Sequence, residues 1–107
     1  MAMAYAAIAN KGMYMQPFVV DEIRYPNGRS DVIDPKPGKR VIGEQAANDV
    51  KDMLIEVVTR GHGKRAGVEG YDVAGKTGTA QIAKTDGSGY EEGKNNGSFA
   101  GFAPAND

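Results

Sequence analysis

Val73-Ala74-Gly75-Lys76-Thr77-Gly78-Thr79-Ala80-Gln81 is the stretch whose reading decides the fold. It puts an ammonium, two hydroxyls and a bare glycine backbone within reach of one ligand. With Gly70 in front, it also fits the phosphate-loop pattern G-x-x-x-x-G-K-[ST] at every fixed position. A phosphate loop needs a buried strand before it and a helix starting at the Lys-Thr pair, so that backbone N–H groups and the helix N-terminus point at the phosphates. Neither flank meets that need. Residues 61–70 are too rich in glycine and charge for a buried strand. Gly78 and Thr79 would fall in the first helical turn, with no sustained apolar stripe behind them.

Read instead as a strand over 71–82, the segment gives a definite chemistry. Side chains alternate faces, so Lys76 points one way and Thr77 and Thr79 the other. Gly78 has no side chain, so a ligand or another backbone can come close there. An open strand edge at this point can pair with an extended peptide, the main chain giving affinity and the side chains selectivity.

The neighbouring segments carry a resemblance. Met1 to Gly12 is an apolar helix ending in Ala-Asn-Lys-Gly, and Gln45 to Val58 is a second helix. Gly61-His62-Gly63 precedes Ala74-Gly-Lys-Thr-Gly-Thr-Ala-Gln81, and Ser98-Phe-Ala-Gly-Phe-Ala-Pro104 follows it. In this order they resemble the transpeptidase domain of class B penicillin-binding proteins, which cross-link peptidoglycan; that family often has Gly-Thr-Gly where His62 stands. The similarity runs through nearly all of residues 1–107. It implies an α+β fold, a fragment of a penicillin-binding/β-lactamase-like transpeptidase fold with helices packed on an antiparallel sheet.

The resemblance also implies a site. Lys76, Thr77, Gly78 and Thr79 become the catalytic candidates, and Lys76, Thr77, Thr79 and Tyr90 the substrate-binding ones. Lys76 would lie on the cleft floor, facing the terminal carboxylate of a D-Ala-D-Ala stem peptide or of a β-lactam. The hydroxyls of Thr77 and Thr79 would contact the same carboxylate, and the Thr79 backbone N–H would be one oxyanion-hole donor. No metal or cofactor is implied.

The family's nucleophile belongs to an S-x-x-K box, and a second box reads S-x-N. Ser30, Ser88 and Ser98 begin neither. Both boxes would lie upstream of Met1, and the family's last strands and closing helix beyond Asp107. The expectation is therefore a C-terminal fragment of a transpeptidase domain, inactive alone, with the N-terminal part of the same domain as its partner. The parent would work on the outer face of a bacterial cytoplasmic membrane, held by an upstream anchor. A β-lactam sensor or β-lactamase-type domain shares the K-T-G tripeptide and stays open as an alternative, as does a nucleotide-binding loop.

Composition narrows the classes. The formal charge is -1, with Lys and Arg scattered, which leaves no electrostatic footprint for nucleic acid. The longest apolar run, Met1 to Ala9, is far short of the ~20 residues that span a bilayer. There is no Cys, which excludes disulfides and thiolate metal sites.

The remaining elements follow from pattern. Residues 1–10 read as a helix apolar nearly all round, closed by Gly12 in a left-handed conformation; with few partners, such a helix favours self-association. Residues 18–25 and 29–33 flank Pro26-Asn27-Gly28 and read as a hairpin, and 34–38 as a Pro-rich loop. Residues 44–60 carry Ala46, Ala47, Val50, Met53, Leu54, Val57 and Val58 at helical spacing, with Gly43 at the start and Gly61 as the closing cap. Residues 84–97 are polar and glycine-rich and read as a loop. His62 lacks any second ligand or base partner, and Asn96-Gly97-Ser98 reads as a turn.

Overall fold

Two strands organise the molecule, which a computed structural model describes over residues 1–106. Strand β5 (Ala74–Ala83) and strand β6 (Tyr90–Phe102) form an antiparallel pair, in register from Ala74↔Phe102 to Gln81↔Asn95. Before them come helix α1 (Ala2–Ala9), strands β1 (Met13–Tyr14), β2 (Glu22–Arg24), β3 (Ser30–Val32) and β4 (Lys39–Arg40), and helix α2 (Glu44–Thr59). A short 3-10 helix, Lys64–Ala66, leads from α2 towards β5. The architecture is α+β, with α2 packed on β5 and α1 on β6.

Helix α1 ends as its sequence suggests. Gly12 takes φ +86° and its N–H donates to the Ala7 carbonyl at 2.7 Å. The Gly12 carbonyl then accepts from Val41 N–H at 2.9 Å, which ties the helix end to the strand that feeds α2. The sequence pattern did not reveal the β1–β4 pair, because strands of two residues carry no periodicity. The expected hairpin is present but shorter, with Glu22↔Val32, Ile23↔Asp31 and Arg24↔Ser30 as its rungs.

Helix α2 buries a narrower stripe than its spacing predicts. Ala47 is fully buried and Val58 nearly so, with Leu54 and Val57 half-buried between them. Ala46 and Val50 are exposed, and Met53 is 65% exposed. Gly61 closes the helix differently from expectation. It avoids the left-handed conformation, and its N–H donates to the Glu56 carbonyl at 3.1 Å. Its reason is space, since a Cβ there would lie 2.9 Å from the Val57 carbonyl oxygen.

The expected loop over 84–97 is a second correction. Only residues 84–89 connect the strands, and β6 already begins at Tyr90. The ladder continues through a solvent-exposed ribbon whose two faces are both wet, so its backbone pairing is masked by polar, glycine-rich sequence. A trace of the loop survives. Between Gln81↔Asn95 and Ala83↔Tyr90 one residue of β5 faces four of β6, Glu91 to Lys94.

The core is thin. Its buried apolar side chains are Ala7, Ala47, Val58, Val73, Ala74 and Ala105, all small. Ala105 is drawn in by its N–H, which donates to the Asp72 carbonyl at 2.8 Å, while Asn106 Nδ2 donates to the Asp72 carboxylate, also at 2.8 Å. The accessible surface is 8319 Å², against about 5,700 Å² for a compact chain of this mass. The radius of gyration is 19.2 Å, against about 13 Å for a compact domain of this length. Large apolar side chains such as Val19, Val32, Met53 and Tyr71 therefore stay in solvent.

Candidate active site

Lys76 and Thr77 lie inside β5, not at the start of a helix, which removes the phosphate-loop reading. The segment before them is built of turns: the 3-10 helix, then a Val68–Tyr71 bridge about Gly70 at φ +83°. Among the described residues no buried strand leads into the motif.

Register sorts the site residues by face. Thr77 pairs with Phe99 and Gly75 with Gly101, so these four share one side of the ribbon with Thr79. Lys76 pairs with Ala100 and Gly78 with Ser98 on the other side. Alternation thus holds at the Cβ atoms, but the long lysine side chain bends round. Lys76 Nζ donates to the Thr77 carbonyl at 2.8 Å and to Thr77 Oγ1 at 3.2 Å. The expected separation of ammonium and hydroxyl on opposite faces is corrected: both stand at one strand edge. Among the described residues β5 pairs only with β6, so this edge is free of other strands.

The glycines in the motif serve close approach. A Cβ on Gly75 would run into the ring of Phe99 and lie 2.9 Å from the Ala100 carbonyl oxygen. The ring therefore covers the bare backbone of the cross-strand pair Gly75 and Gly101. At Gly78 a Cβ would meet only Ser98 Oγ, at 2.6 Å, a group that can rotate away. Backbone rigidity thus belongs to Gly75 and openness to Gly78. Sequence reasoning missed Phe99 as a site residue; its signal is its place diagonal to Gly75 across the β5–β6 pair, which needs the register.

Tyr90 is not brought to the motif. It pairs with Ala83, seven residues along β5 from Lys76, or roughly 23 Å at strand rise. His62, set aside in the sequence, stands closer. A hollow beside Thr77 is lined by His62, Gly63, Arg65, Ala66, Thr77 and Phe99. No group of three His, Asp or Glu able to hold a metal occurs among the described residues. No described helix is long and apolar enough to cross a membrane.

Residues 1–107 match the family described as the penicillin binding protein transpeptidase domain. The stage V sporulation protein D of Bacillus subtilis is 42% identical over 106 residues, covering 97% of this chain and 16% of that protein. Penicillin-binding protein PbpB of Mycolicibacterium smegmatis is 36% identical, covering 100% of this chain and 18% of the relative. Among solved structures, penicillin binding protein 3 of Mycobacterium tuberculosis complexed with ampicillin superposes with a TM-score of 0.87 at 35% identity, covering 99% of this chain and 25% of that one. The D,D-transpeptidase domain of a peptidoglycan glycosyltransferase from Eggerthella lenta gives 0.84 at 39% identity, covering 99% of this chain and 24% of that chain. The chain spans less than a fifth of the length of these curated relatives.

Proposed function

This chain belongs to the penicillin-binding protein transpeptidase family, and from that footing we propose that it is the C-terminal, K-T-G-bearing part of a class B D,D-transpeptidase domain. The observation that carries the reading is the Lys76 ammonium resting on the Thr77 hydroxyl at an open strand edge. A fixed cation with an adjacent hydroxyl fits a carboxylate by charge-assisted hydrogen bonding. The carboxylate is the C-terminus of a D-Ala-D-Ala stem peptide, or the equivalent group of a β-lactam.

The reaction is acyl transfer through a serine ester. The serine oxygen attacks the carbonyl between the two D-Ala residues and its proton passes to the leaving amine. The C–N bond breaks and D-Ala departs. An amine of a second stem peptide then attacks the ester, losing its proton and restoring the serine. That serine belongs to the part of the domain upstream of these residues. Thr77 and Thr79 offer hydroxyls to the donor carboxylate, the Thr79 N–H is one oxyanion donor, and Gly78 leaves the strand edge accessible. The upstream part also covers the apolar surface that the thin core leaves open. The parent works at the outer face of the bacterial cytoplasmic membrane.

Intact-mass measurement with benzylpenicillin tests the assignment. The native protein should gain one penicilloyl group, mapped to a serine outside this chain, and these 107 residues alone should gain none. An adduct on Ser30, Ser88 or Ser98 would refute it.

A further inference from the structure

The sequence holds two Asn-Gly pairs, Asn27-Gly28 and Asn96-Gly97, and one Asp-Gly pair, Asp86-Gly87. In such a pair the glycine main-chain nitrogen can attack the side-chain carbonyl carbon of the residue before it, because no Cβ on the glycine hinders the approach. The fold puts the three pairs in three different settings.

Asn27 sits in the exposed turn between β2 and β3, outside their ladder. Gly28 follows at φ +82°, and a Cβ there would meet nothing within 4 Å. Gly28 N–H donates to the Tyr25 carbonyl at 3.0 Å, and Asn27 Oδ1 accepts from the Arg29 N–H at 3.1 Å. The second bond folds the side-chain carbonyl back over the Gly28 peptide. It also polarises that carbonyl and takes up negative charge that forms on its oxygen, as an oxyanion donor does. Asn96 instead lies within β6 opposite Ala80, with Gly97 opposite Thr79. The ladder holds that main chain extended, so ring closure there requires the ladder to open. Asp86 repeats the geometry of Asn27. Gly87 N–H donates to the Lys84 carbonyl at 3.1 Å, and Asp86 Oδ1 accepts from the Ser88 N–H at 2.9 Å. Its carboxylate is a poor target for a nucleophile, and the Ser88 N–H first, then the Ser88 hydroxyl, hold it ionised below its ordinary value.

We propose that Asn27 is a site of spontaneous modification, deamidating through a cyclic imide with Gly28, while Asn96 and Asp86 stay intact in the folded protein. The Gly28 nitrogen gives its proton to solvent base and bonds to Asn27 Cγ. The Cγ–Nδ2 bond breaks, and the amide nitrogen leaves as ammonia with a proton from solvent. Water then opens the imide at either carbonyl, giving aspartate or isoaspartate. Nothing is oxidised or reduced, and water is the only co-reactant. Either product adds a negative charge beside Arg29, whose guanidinium bonds Asp31. The isoaspartate product also lengthens the main chain of the turn by a carbon. The site lies on the hairpin and is independent of the carboxylate reading of Lys76 and Thr77.

The test is a time course on the native protein that carries these residues, held in mildly alkaline buffer at physiological temperature. Peptide mapping by mass spectrometry, with electron-based fragmentation to tell isoaspartate from aspartate, follows all three sites. A parallel sample is unfolded in urea, and Gly28→Ala is run beside wild type with its melting temperature. In the folded protein Asn27 should convert about tenfold or more faster than Asn96, which first has to break ladder hydrogen bonds. The two rates should converge in urea. Gly28→Ala should slow conversion at Asn27 and leave Asn96 unchanged. Equal rates at Asn27 and Asn96 in the folded protein, or conversion of Asn27 in urea alone, would overturn the proposal. Isoaspartate forming at Asp86 as fast as at Asn27 would overturn the part assigned to the side-chain amide.

Discussion

Lys76 Nζ lies 3.2 Å from Thr77 Oγ1 and 2.8 Å from the Thr77 carbonyl oxygen, although the two side chains leave the strand on opposite faces. The lysine stem is long enough to round the strand edge, so sequence neighbours that alternation separates meet at their tips. Both groups are solvent-accessible. Their contact therefore adds little to stability but sets a cation and a hydroxyl side by side.

Thr77→Val keeps the branched shape and removes the hydroxyl. We expect acylation by benzylpenicillin to slow about tenfold, in line with one hydrogen bond to a charged group, with the melting temperature within a degree or two. Thr77→Ser should keep most of the rate. Stopped-flow or quenched labelling of the native protein gives both numbers, and equal rates in wild type and Thr77→Val would remove the hydroxyl from the site.

Gly78 and Gly75 should respond in opposite ways to added bulk. Gly78→Val meets only a rotatable serine hydroxyl, so the protein should fold and fail to acylate. Gly75→Ala meets the Phe99 ring and the Ala100 carbonyl, and overpacking of that kind costs about 1–3 kcal/mol. Thermal unfolding alongside penicillin labelling separates the two. A folded, fully reactive Gly78→Val would contradict the close-approach role.

Much of this was legible in the sequence, for physical reasons. Helix α2 shows because one face is buried and the other wet, which writes a 3.6-residue period into the chain. The strand reading of β5 came from its flanks, since the glycine-rich 61–70 could not supply a buried strand. The outer half of β6 was hidden because neither face is buried there, so no period-two pattern exists to read. Tyr90 was misplaced for the same cause: without the register, the four-against-one irregularity at Glu91–Lys94 could not be seen. The Phe99–Gly75 contact depends on pairing between residues far apart in the chain, which local pattern does not encode.

The β2–β3 hairpin carries an exposed charge cluster with a pH signature. Arg29 Nη2 donates to Asp31 Oδ2 at 2.6 Å, Tyr25 Oη donates to the same oxygen at 3.0 Å, and the guanidinium lies 4.7 Å from the Tyr25 ring centre. The Arg29 hydrogen bonds first, and the tyrosine second, hold the Asp31 carboxyl below its ordinary value. A lowered carboxyl stabilises the folded hairpin at pH above the unfolded value of about 3.9, and that contribution is lost as pH falls through the folded value. An NMR titration of Asp31 should show its midpoint rise towards the ordinary value in Arg29→Ala. An unmoved midpoint would rule out the guanidinium as the cause.

The 107 residues expressed alone should self-associate. Their surface exceeds that of a compact chain of equal mass by about 2,600 Å², more than the roughly 1,600 Å² of a standard protein–protein interface. Much of it is apolar, with Val19 fully exposed and Val32 and Met53 largely so. Light scattering should report dimers or larger species at micromolar concentration. A monodisperse monomer would show that the open apolar surface is tolerated without a partner.

The most direct measurement is acylation of the native protein by fluorescent penicillin, wild type against Lys76→Ala, with melting temperatures recorded in parallel. Lys76 is exposed and, among the described residues, bonded only to its own neighbour, so folding should hold. Loss of a charge-assisted contact predicts acylation about 10- to 100-fold slower. A folded Lys76→Ala protein that acylates at the wild-type rate would contradict the assignment of this strand as the carboxylate-binding edge of a transpeptidase.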